Sequence, residues 1–270
     1  NKLIFSKWRE AVGGNMKYIF SGAAALQPRL ARVFTAAQMP VFEGYGLSET
    51  SPVISVNTPE PGGKYYGTVG KVMAGVEVKF GDDGEILCKG HNVMMGYYNK
   101  PELTAEVIDK DGWFHTGDIG TMVEGVYLKI TDRKKEIFKT SGGKYIAPQV
   151  MENKFKESRL IEQIMVLGES EKMPGAFIVP DFQALKVWCE HHQIDYTTDA
   201  QMTEHPDVLK KYDDEVSHYN EQFAPYEQVK KFVLMKEAWS VDGGELTATM
   251  KLKRKPVLSK YDKEYKEIYS

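Results

Sequence analysis

The sequence of 270 residues has little cysteine and no long apolar run, and each of these features excludes a class of protein. Its two cysteines, Cys88 and Cys189, lie far apart and form no CxxC pair. Neither a disulfide scaffold nor a zinc knuckle is therefore expected. No apolar stretch approaches the roughly 20 residues that a membrane-spanning helix needs.

The sequence also lacks a starting methionine and any sustained apolar stretch after its first charged residue. We therefore expect no signal peptide, and we expect this chain to be a piece of a longer protein. The expected location is the cytoplasm, with peripheral contact at the inner membrane face left open.

A large charge excess is missing as well: 35 Lys and Arg stand against 38 Asp and Glu, for a net charge of −3. This balance excludes a protein whose whole surface binds nucleic acid, and no nucleic-acid partner is expected. The six histidines show no HExxH or similar ligand spacing, so metal catalysis through histidine is not expected. With 42% apolar and 27% charged residues, the composition is that of a globular protein.

The first 60 residues have an α/β pattern. A short strand over 17–20 precedes a helix that begins at Pro28, and a second strand over 39–43 runs into a turn at Gly44-Tyr45-Gly46. A strand, helix, strand order favours a parallel sheet with functional loops at the carboxyl ends of its strands.

Residues 61–130 change to short apolar runs separated by Gly, Asp and Asn turns, which indicates antiparallel β structure. The charged segment 131–136 lacks apolar periodicity, and we place a domain boundary between residues 130 and 131. Residues 131–270 alternate apolar strands with amphipathic helices, one of them capped by Asp181. The fold class is therefore mixed α/β and α+β, in a larger domain followed by a small α+β domain.

The segment Glu43–Thr50 follows a strand, where ligands collect in open α/β sheets. Tyr45 offers a flat face to a base, Ser48 a hydroxyl to a phosphate, and Glu49 a hard oxygen ligand to Mg²⁺. The segment matches neither GxGxxG nor GxSxG. A Gly-Tyr-Gly turn by itself is more often only structural.

A second glycine-framed loop runs from Gly112 to Asp118, whose carboxylate suits the paired hydroxyls of a ribose. Standing alone, such an aspartate is more often part of a tight turn, and His115 is more simply a packed loop histidine. Basic residues concentrate over 131–144 and 251–255, which indicates polyanionic small ligands or a solvated surface. Ser141-Gly142-Gly143-Lys144 lacks the first glycine and the final Ser/Thr of a Walker A loop.

The order of these motifs is more specific than any one of them. Tyr45-Gly46-Leu47-Ser48-Glu49, Gly117-Asp118, Asp132-Arg133-Lys134-Lys135 and Lys251 succeed one another as in the adenylate-forming superfamily of acyl-CoA synthetases. The amino-acid sequences of residues 95–102, 113–120, 139–148 and 245–254 most resemble those of the AMP-forming long-chain fatty acid–CoA ligases. The resemblance covers essentially the whole chain.

The resemblance implies a reaction in two steps, with ATP, a long-chain fatty acid and coenzyme A as substrates and Mg²⁺ as cofactor. The fatty carboxylate attacks the α-phosphate of ATP, and the thiol of coenzyme A then displaces AMP from the acyl-adenylate. It assigns catalysis to Lys251, Ser48 and Glu49, with Glu49 also holding the metal. The residues that it assigns to nucleotide binding are Gly22, Ala23, Ala24, Glu43, Gly44, Tyr45, Gly46, Asp118, Arg133 and Lys144.

The family's small C-terminal domain rotates between the two steps, and the resemblance places the hinge at Lys135. Ser141, Gly142 and Gly143 would then approach the thiol channel. The family's phosphate-cradling loop, rich in Ser, Thr and Gly, is absent from this sequence. The chain is therefore expected to be the C-terminal part of a ligase, inactive without the missing N-terminal part of the same enzyme.

Two alternatives stay open. The adenylate could be passed to a carrier-protein phosphopantetheine or to oxygen instead of coenzyme A. A protein that begins here and has no phosphate loop could also be a nucleotide-binding or interaction module without catalysis. The reading frame upstream of Asn1 separates the last alternative from a truncated ligase.

Overall fold

A computed structural model of the chain describes residues 4–22 and 24–270, and it divides the chain into two compact units, Asn1–Lys135 and Glu136–Ser270. The predicted boundary lay five residues earlier, between 130 and 131. The difference arises because strand pairing continues beyond residue 130, as described below.

The first unit consists mainly of strands that form a single mixed sheet. Its elements are α1 (Phe5–Ala11), β1 (Ile19–Ser21), α2 (Pro28–Ala36), β2 (Val41–Gly46), a 3₁₀ turn (Ser48–Thr50), β3 (Val53–Val56), β4 (Lys71–Val72), β5 (Val76–Phe80), β6 (Glu85–Gly90), α3 (Pro101–Val107), β7 (Phe114–Val123) and β8 (Tyr127–Arg133).

The eight strands of this sheet run in the order β1-β2-β3-β4-β8-β7-β6-β5. Strands β1 and β2 are parallel, and the remaining neighbours are antiparallel. The expected parallel segment and the expected antiparallel segment are both present, joined in one sheet. The mixed α/β and α+β fold class is confirmed.

The predicted turn at Gly44-Tyr45-Gly46 is wrong, because strand β2 continues through Gly46. Gly44 pairs with Val56 and Tyr45 with Ser55 of β3, so backbone hydrogen bonding extends the strand. At Gly46 the chain crowds the loop that returns to β3: a Cβ there would lie 1.6 Å from the carbonyl oxygen of Pro52. The glycine is therefore needed for close approach between two backbone segments.

The first half of the predicted junction over 131–136 belongs to strand β8. Asp132 pairs with Ile119 and Arg133 with Asp118, as part of the β7–β8 ladder. Asp132 is buried although it is charged, and its carboxylate accepts the backbone N–H of Arg133 at 2.6 Å. Because a charged residue occupies a buried position of this strand, the pattern of apolar residues does not predict that the strand continues here.

The second unit surrounds a small sheet with helices. Its elements are β9 (Phe138–Lys139), β10 (Tyr145–Ile146), α4 (Pro148–Phe155), β11 (Ile161–Leu167), β12 (Gly175–Pro180), α5 (Phe182–His191), α6 (Asp199–Glu204), α7 (Pro206–Asn220), β13 (Lys231–Leu234), α8 (Arg254–Lys260) and α9 (Asp262–Tyr269).

Strand β12 is the centre of this unit. It pairs with β11 on one side and β13 on the other, and each of its residues is buried. The continuous apolar run in its sequence fits a strand that is covered on both faces. Helix α5 starts directly after it, where the Asp181 carboxylate accepts the N–H of Ala184 at 2.9 Å, which confirms the predicted cap.

In the part of the chain that the structure describes, no helix has the length and apolar character needed to cross a bilayer. Cys88 and Cys189 are both free thiols and both buried.

Candidate functional site

The residues singled out in the sequence divide between the two units. The first unit contains Gly22, Ala24, Glu43–Gly46, Ser48, Glu49, Asp118, Arg133 and Lys135, and the second contains Ser141–Lys144 and Lys251. Ala23 lies outside the described residues.

Three of the predicted residues meet in the sheet of the first unit, and we call them the Tyr45–Asp118–Arg133 cluster. The Tyr45 hydroxyl donates to Asp118 Oδ2 at 2.7 Å, and Arg133 Nε donates to Asp118 Oδ1 at 3.1 Å. These residues are 73 and 15 positions from Asp118 in sequence. The sheet brings them together because β7 and β8 pair Asp118 directly with Arg133.

The cluster combines a buried carboxylate with a cation that reaches solvent. Asp118 is 4% exposed, whereas the side chain of Arg133 is 49% exposed. Burial, together with the neighbouring Asp118 charge, raises the pKa of Tyr45 far above its usual range, so Tyr45 stays a hydrogen-bond donor. Each carboxylate oxygen has two acceptor positions, so Asp118 can accept further hydroxyl donors.

The ends of β1 and β2 lie close together. A Cβ at Gly22 would be 3.5 Å from the carbonyl oxygen of Gly44, and both Gly22 and Ala24 are exposed just after β1. This is the parallel part of the sheet, where carboxyl-terminal ends collect ligands. The proposed roles of Gly22, Ala24, Gly44 and Gly46 in nucleotide binding stay predictions.

Glu43 is buried in strand β2, with 9% of its surface exposed. Burial raises its pKa to about 7, against the smaller opposing effects of a backbone hydrogen bond from Leu26 and the charge of Lys64. The carboxyl group is therefore partly protonated near neutral pH. In the unfolded chain it is already ionised at that pH.

Folding stability is therefore expected to fall as the pH rises from 5 to 8, because the native state retains the Glu43 proton that the unfolded state has lost. A pKa that rises from 4.5 to about 7 corresponds to a loss of about 3 kcal/mol at most across this window. Glu43→Gln should remove this component. Urea unfolding of both forms at pH 5 and pH 8 measures it, and equal pH dependence in the two forms would contradict the assignment.

Ser48 and Glu49 lie in the 3₁₀ turn that follows β2. The turn is closed by Thr50, whose hydroxyl accepts the N–H of Leu47 at 2.9 Å. Glu49 Oε1 accepts the hydroxyl of Tyr97 at 2.9 Å, and the Glu49 carbonyl accepts the N–H of Met94 at 2.8 Å. Burial and the Glu49 charge raise the pKa of Tyr97. Sequence reasoning missed Tyr97 as the partner that orients this carboxylate.

The Glu49 carboxylate offers oxygen atoms of the kind that Mg²⁺ binds. Among the residues described by the structure, no group of three or more His, Cys, Asp or Glu side chains could enclose a metal ion. Mg²⁺ is commonly held by one or two carboxylates together with substrate phosphates and water. A single half-buried carboxylate therefore fits this ion as a partner of a bound nucleotide.

In the second unit, Ser141, Gly142 and Gly143 form the turn of the β9–β10 hairpin. The N–H of Thr140 donates to the Lys144 carbonyl at 3.0 Å, and Gly143 has a φ of +75°. The N–H of Ser141 donates to the Glu171 carbonyl at 2.8 Å, which ties the turn to the loop after β11. Lys144 lies 5.5 Å from the ring centre of Tyr226.

Lys251 occupies the closing position of another turn. The N–H of Thr247 donates to the Lys251 carbonyl at 2.8 Å, and the N–H of Lys251 donates to the Thr247 hydroxyl at 3.0 Å. A bridge between Leu246 and Leu252 forms the base of this turn, and Lys251 itself is exposed. We call residues 246–252 the lysine turn.

Sequence reasoning missed Glu85, which lies next to the predicted hinge in the folded chain. Its carboxylate accepts Lys134 Nζ at 2.8 Å and the N–H of Gly117 at 3.0 Å, and it lies 3.2 Å from His115 Nδ1. Burial raises its pKa, but these donors outweigh burial and lower it overall. An acidic residue at the start of the otherwise apolar stretch Glu85–Cys88 is the signal that could have indicated a buried anchor.

Comparison with known proteins follows the same division of the chain. Residues 4–98 match the AMP-binding enzyme family, and residues 135–270 match the AMP-binding enzyme C-terminal domain. The chain is 36% identical over 271 residues to the long-chain-fatty-acid–CoA ligase FadD15 of Mycobacterium bovis, covering 100% of the chain and 45% of that protein. It is 35% identical over 285 residues to long-chain-fatty-acid–CoA ligase 1 of Cavia porcellus, covering 100% of the chain and 40% of that protein.

Among solved structures, the chain is similar to the A domain of the carboxylic acid reductase from Segniliparus rugosus in complex with AMP and a co-purified carboxylic acid. The TM-score is 0.77 at 25% identity, covering 99% of this chain and 42% of that one. The chain thus spans less than half the length of the proteins that it resembles here. Because the two family matches together extend over most of its length, the chain belongs to the AMP-binding enzymes of the adenylate-forming superfamily.

Proposed function

We propose that this chain is the C-terminal part of an AMP-forming long-chain fatty acid–CoA ligase. The observation that carries the proposal is the buried carboxylate of Asp118, fixed by Tyr45 and Arg133, in a chain that aligns over its whole length with named long-chain ligases. The proposed reaction converts a fatty acid, ATP and coenzyme A to acyl-CoA, AMP and pyrophosphate. The chain alone is proposed to be inactive, because it lacks the phosphate loop.

In the first half-reaction a fatty carboxylate oxygen attacks the α-phosphorus, and pyrophosphate leaves. Asp118 and Arg133 hold the ribose hydroxyls, and Tyr45 orients the aspartate while its ring borders the base. Ser48 binds a phosphate oxygen, and Lys251 brings a positive charge to the α-phosphate. Such transfers are accelerated mainly by positioning and by charges placed where negative charge develops.

Bound through Glu49 and the phosphates of ATP, Mg²⁺ would neutralise part of the phosphate charge. Tyr97 keeps the Glu49 carboxylate oriented, since its hydroxyl donates to one of the two oxygens. Lys144 supplies a further cation for a phosphate or ribose oxygen.

In the second half-reaction the thiol of coenzyme A attacks the acyl carbon, the carbon–oxygen bond to AMP breaks, and AMP leaves. The second unit is proposed to turn about Lys135, which withdraws Lys251 and brings the Ser141-Gly142-Gly143 turn to the thiol. Lys134, immediately before this hinge, is bound to Asp83 at 2.7 Å and Glu85 at 2.8 Å. This anchoring supports a hinge that begins at the next residue.

Assays of the full-length protein test both which acid it activates and which thiol accepts the acyl group. Palmitate, ATP and coenzyme A are expected to give palmitoyl-CoA and AMP. Acetate should be used at least about tenfold less efficiently, because it has no long methylene chain to bury in the enzyme. A phosphopantetheinylated carrier protein replaces coenzyme A in a parallel assay. Preference for the carrier protein would favour the second candidate, to which the similarity with a carboxylic acid reductase A domain also points. No adenylate with any acid would favour a binding module.

A further inference from the structure

A buried ion pair lies beside the lysine turn in the second unit. Arg254 Nη1 donates to Glu152 Oε1 at 2.6 Å, and the two side chains are 17% and 9% exposed. The same Glu152 oxygen accepts the N–H of Val166 at 2.8 Å. The second guanidinium nitrogen of Arg254 donates to the carbonyl oxygen of Val166. Arg254 thereby connects the start of α8 to both α4 and β11.

This connection lies close to Lys251 along the chain. Arg254 follows Lys251 by three residues and is the first residue of α8. The segment between them is short, so it can span only about 10 Å even when fully extended. Moving Arg254 would therefore move Lys251.

The other side of the lysine turn is anchored by a second buried carboxylate. Glu245, which is 3% exposed, accepts the ammonium group of Lys260 and lies 3.3 Å from the hydroxyl of Tyr261. Its carbonyl accepts the N–H of Lys253 at 2.8 Å. The turn that carries the exposed Lys251 is thus fixed on both sides, while its tip extends into solvent.

We propose that Arg254 and Glu152 are positioning residues for Lys251, and that they set where its ammonium can reach. The inference rests on the proposed function, because it takes Lys251 to be the lysine of the adenylation step. A displacement of about 1 Å in a catalytic group can cost about a hundredfold in rate. The guanidinium of Arg254 donates to Glu152 and to the Val166 carbonyl through two different nitrogens. The single ammonium group of a lysine cannot reproduce this pair of contacts.

The test uses the full-length protein with Arg254→Lys and Glu152→Gln, two changes that keep polar groups of similar size. Arg254→Lys is expected to lower kcat for fatty-acid-dependent ATP–pyrophosphate exchange about tenfold, and Glu152→Gln is expected to lower it at least about fivefold. In both variants KM for ATP should change less than about twofold. Thioester formation from supplied acyl-adenylate and coenzyme A should stay within about twofold of wild type, because Lys251 serves only the first step. Lys255→Ala, an exposed neighbour on α8, is the matched control and should leave both steps unchanged.

A merely structural role would lower both half-reactions together with the melting temperature, and this result would overturn the inference. Unchanged exchange in both variants would overturn it as well. Lys251→Ala, assayed alongside, separates this inference from the proposed function. Loss of exchange in Lys251→Ala with normal Arg254 and Glu152 variants rejects only the positioning role. Normal exchange in Lys251→Ala rejects the proposed function, and the inference with it.

Discussion

Lys251→Ala in the full-length protein is expected to reduce fatty-acid-dependent ATP–pyrophosphate exchange by at least about a hundredfold, the usual effect of removing a group that stabilises charge in the transition state. The structure presents Lys251 at an exposed turn whose backbone is held by Thr247 on one side. Truncation removes the ammonium group and leaves these backbone contacts, so the effect should be chemical and not structural. The melting temperature should stay within about 2 °C of wild type, as for most exposed substitutions.

The same variant should still convert supplied acyl-adenylate and coenzyme A to acyl-CoA. This separation follows from the proposal that the second unit withdraws Lys251 before the second step. Lys255→Ala provides the control for loss of one positive charge from the same basic stretch. Wild-type exchange in Lys251→Ala would contradict the role of this lysine, and equal loss of both steps would contradict the withdrawal.

Asp118→Asn should weaken nucleotide binding by about ten- to a hundredfold, because charged hydrogen bonds to a ligand contribute about 1.5–3 kcal/mol. The side chain keeps its size, but it loses the charge that faces Arg133 and receives the Tyr45 hydroxyl. Isothermal titration of the full-length protein with AMP measures the change. The exposed Asp111→Asn, on the turn before β7, is the matched control.

Tyr45→Phe separates orientation of Asp118 from binding by Asp118 itself. It removes the hydroxyl that donates at 2.7 Å and leaves the Arg133 contact in place. The expected cost in AMP affinity is smaller than that of Asp118→Asn, and the double variant should lose less than the sum of the two. AMP affinity that is unaffected by Asp118→Asn would remove this cluster from the nucleotide site.

The sequence was sufficient where a signal is local. Pro28 at a helix start and Asp181 at a helix cap appear in the structure as expected, and the unbroken apolar run of β12 forms a buried strand. Each depends on residues within one turn of helix or one strand. The order of the short motifs was likewise enough to indicate the family.

The rest depended on contacts between distant segments. Strand β2 continues through Gly46 because β3 pairs with it, and the local sequence does not predict this pairing. Glu152 and Arg254 are 102 residues apart, and only the fold makes them a pair. An acidic residue on the apolar face of α4, beside Met151 and Phe155, was the one local sign that a buried cation would be found.

Formation of an acyl-adenylate by the full-length protein is tested most directly with labelled ATP. Incubation with palmitate and ATP labelled at the α-phosphorus, without coenzyme A, should leave labelled palmitoyl-adenylate on the protein. Addition of coenzyme A should then release the label as AMP together with palmitoyl-CoA. Label recovered only as ADP, or as ATP that never reacts with any acid, would contradict the account.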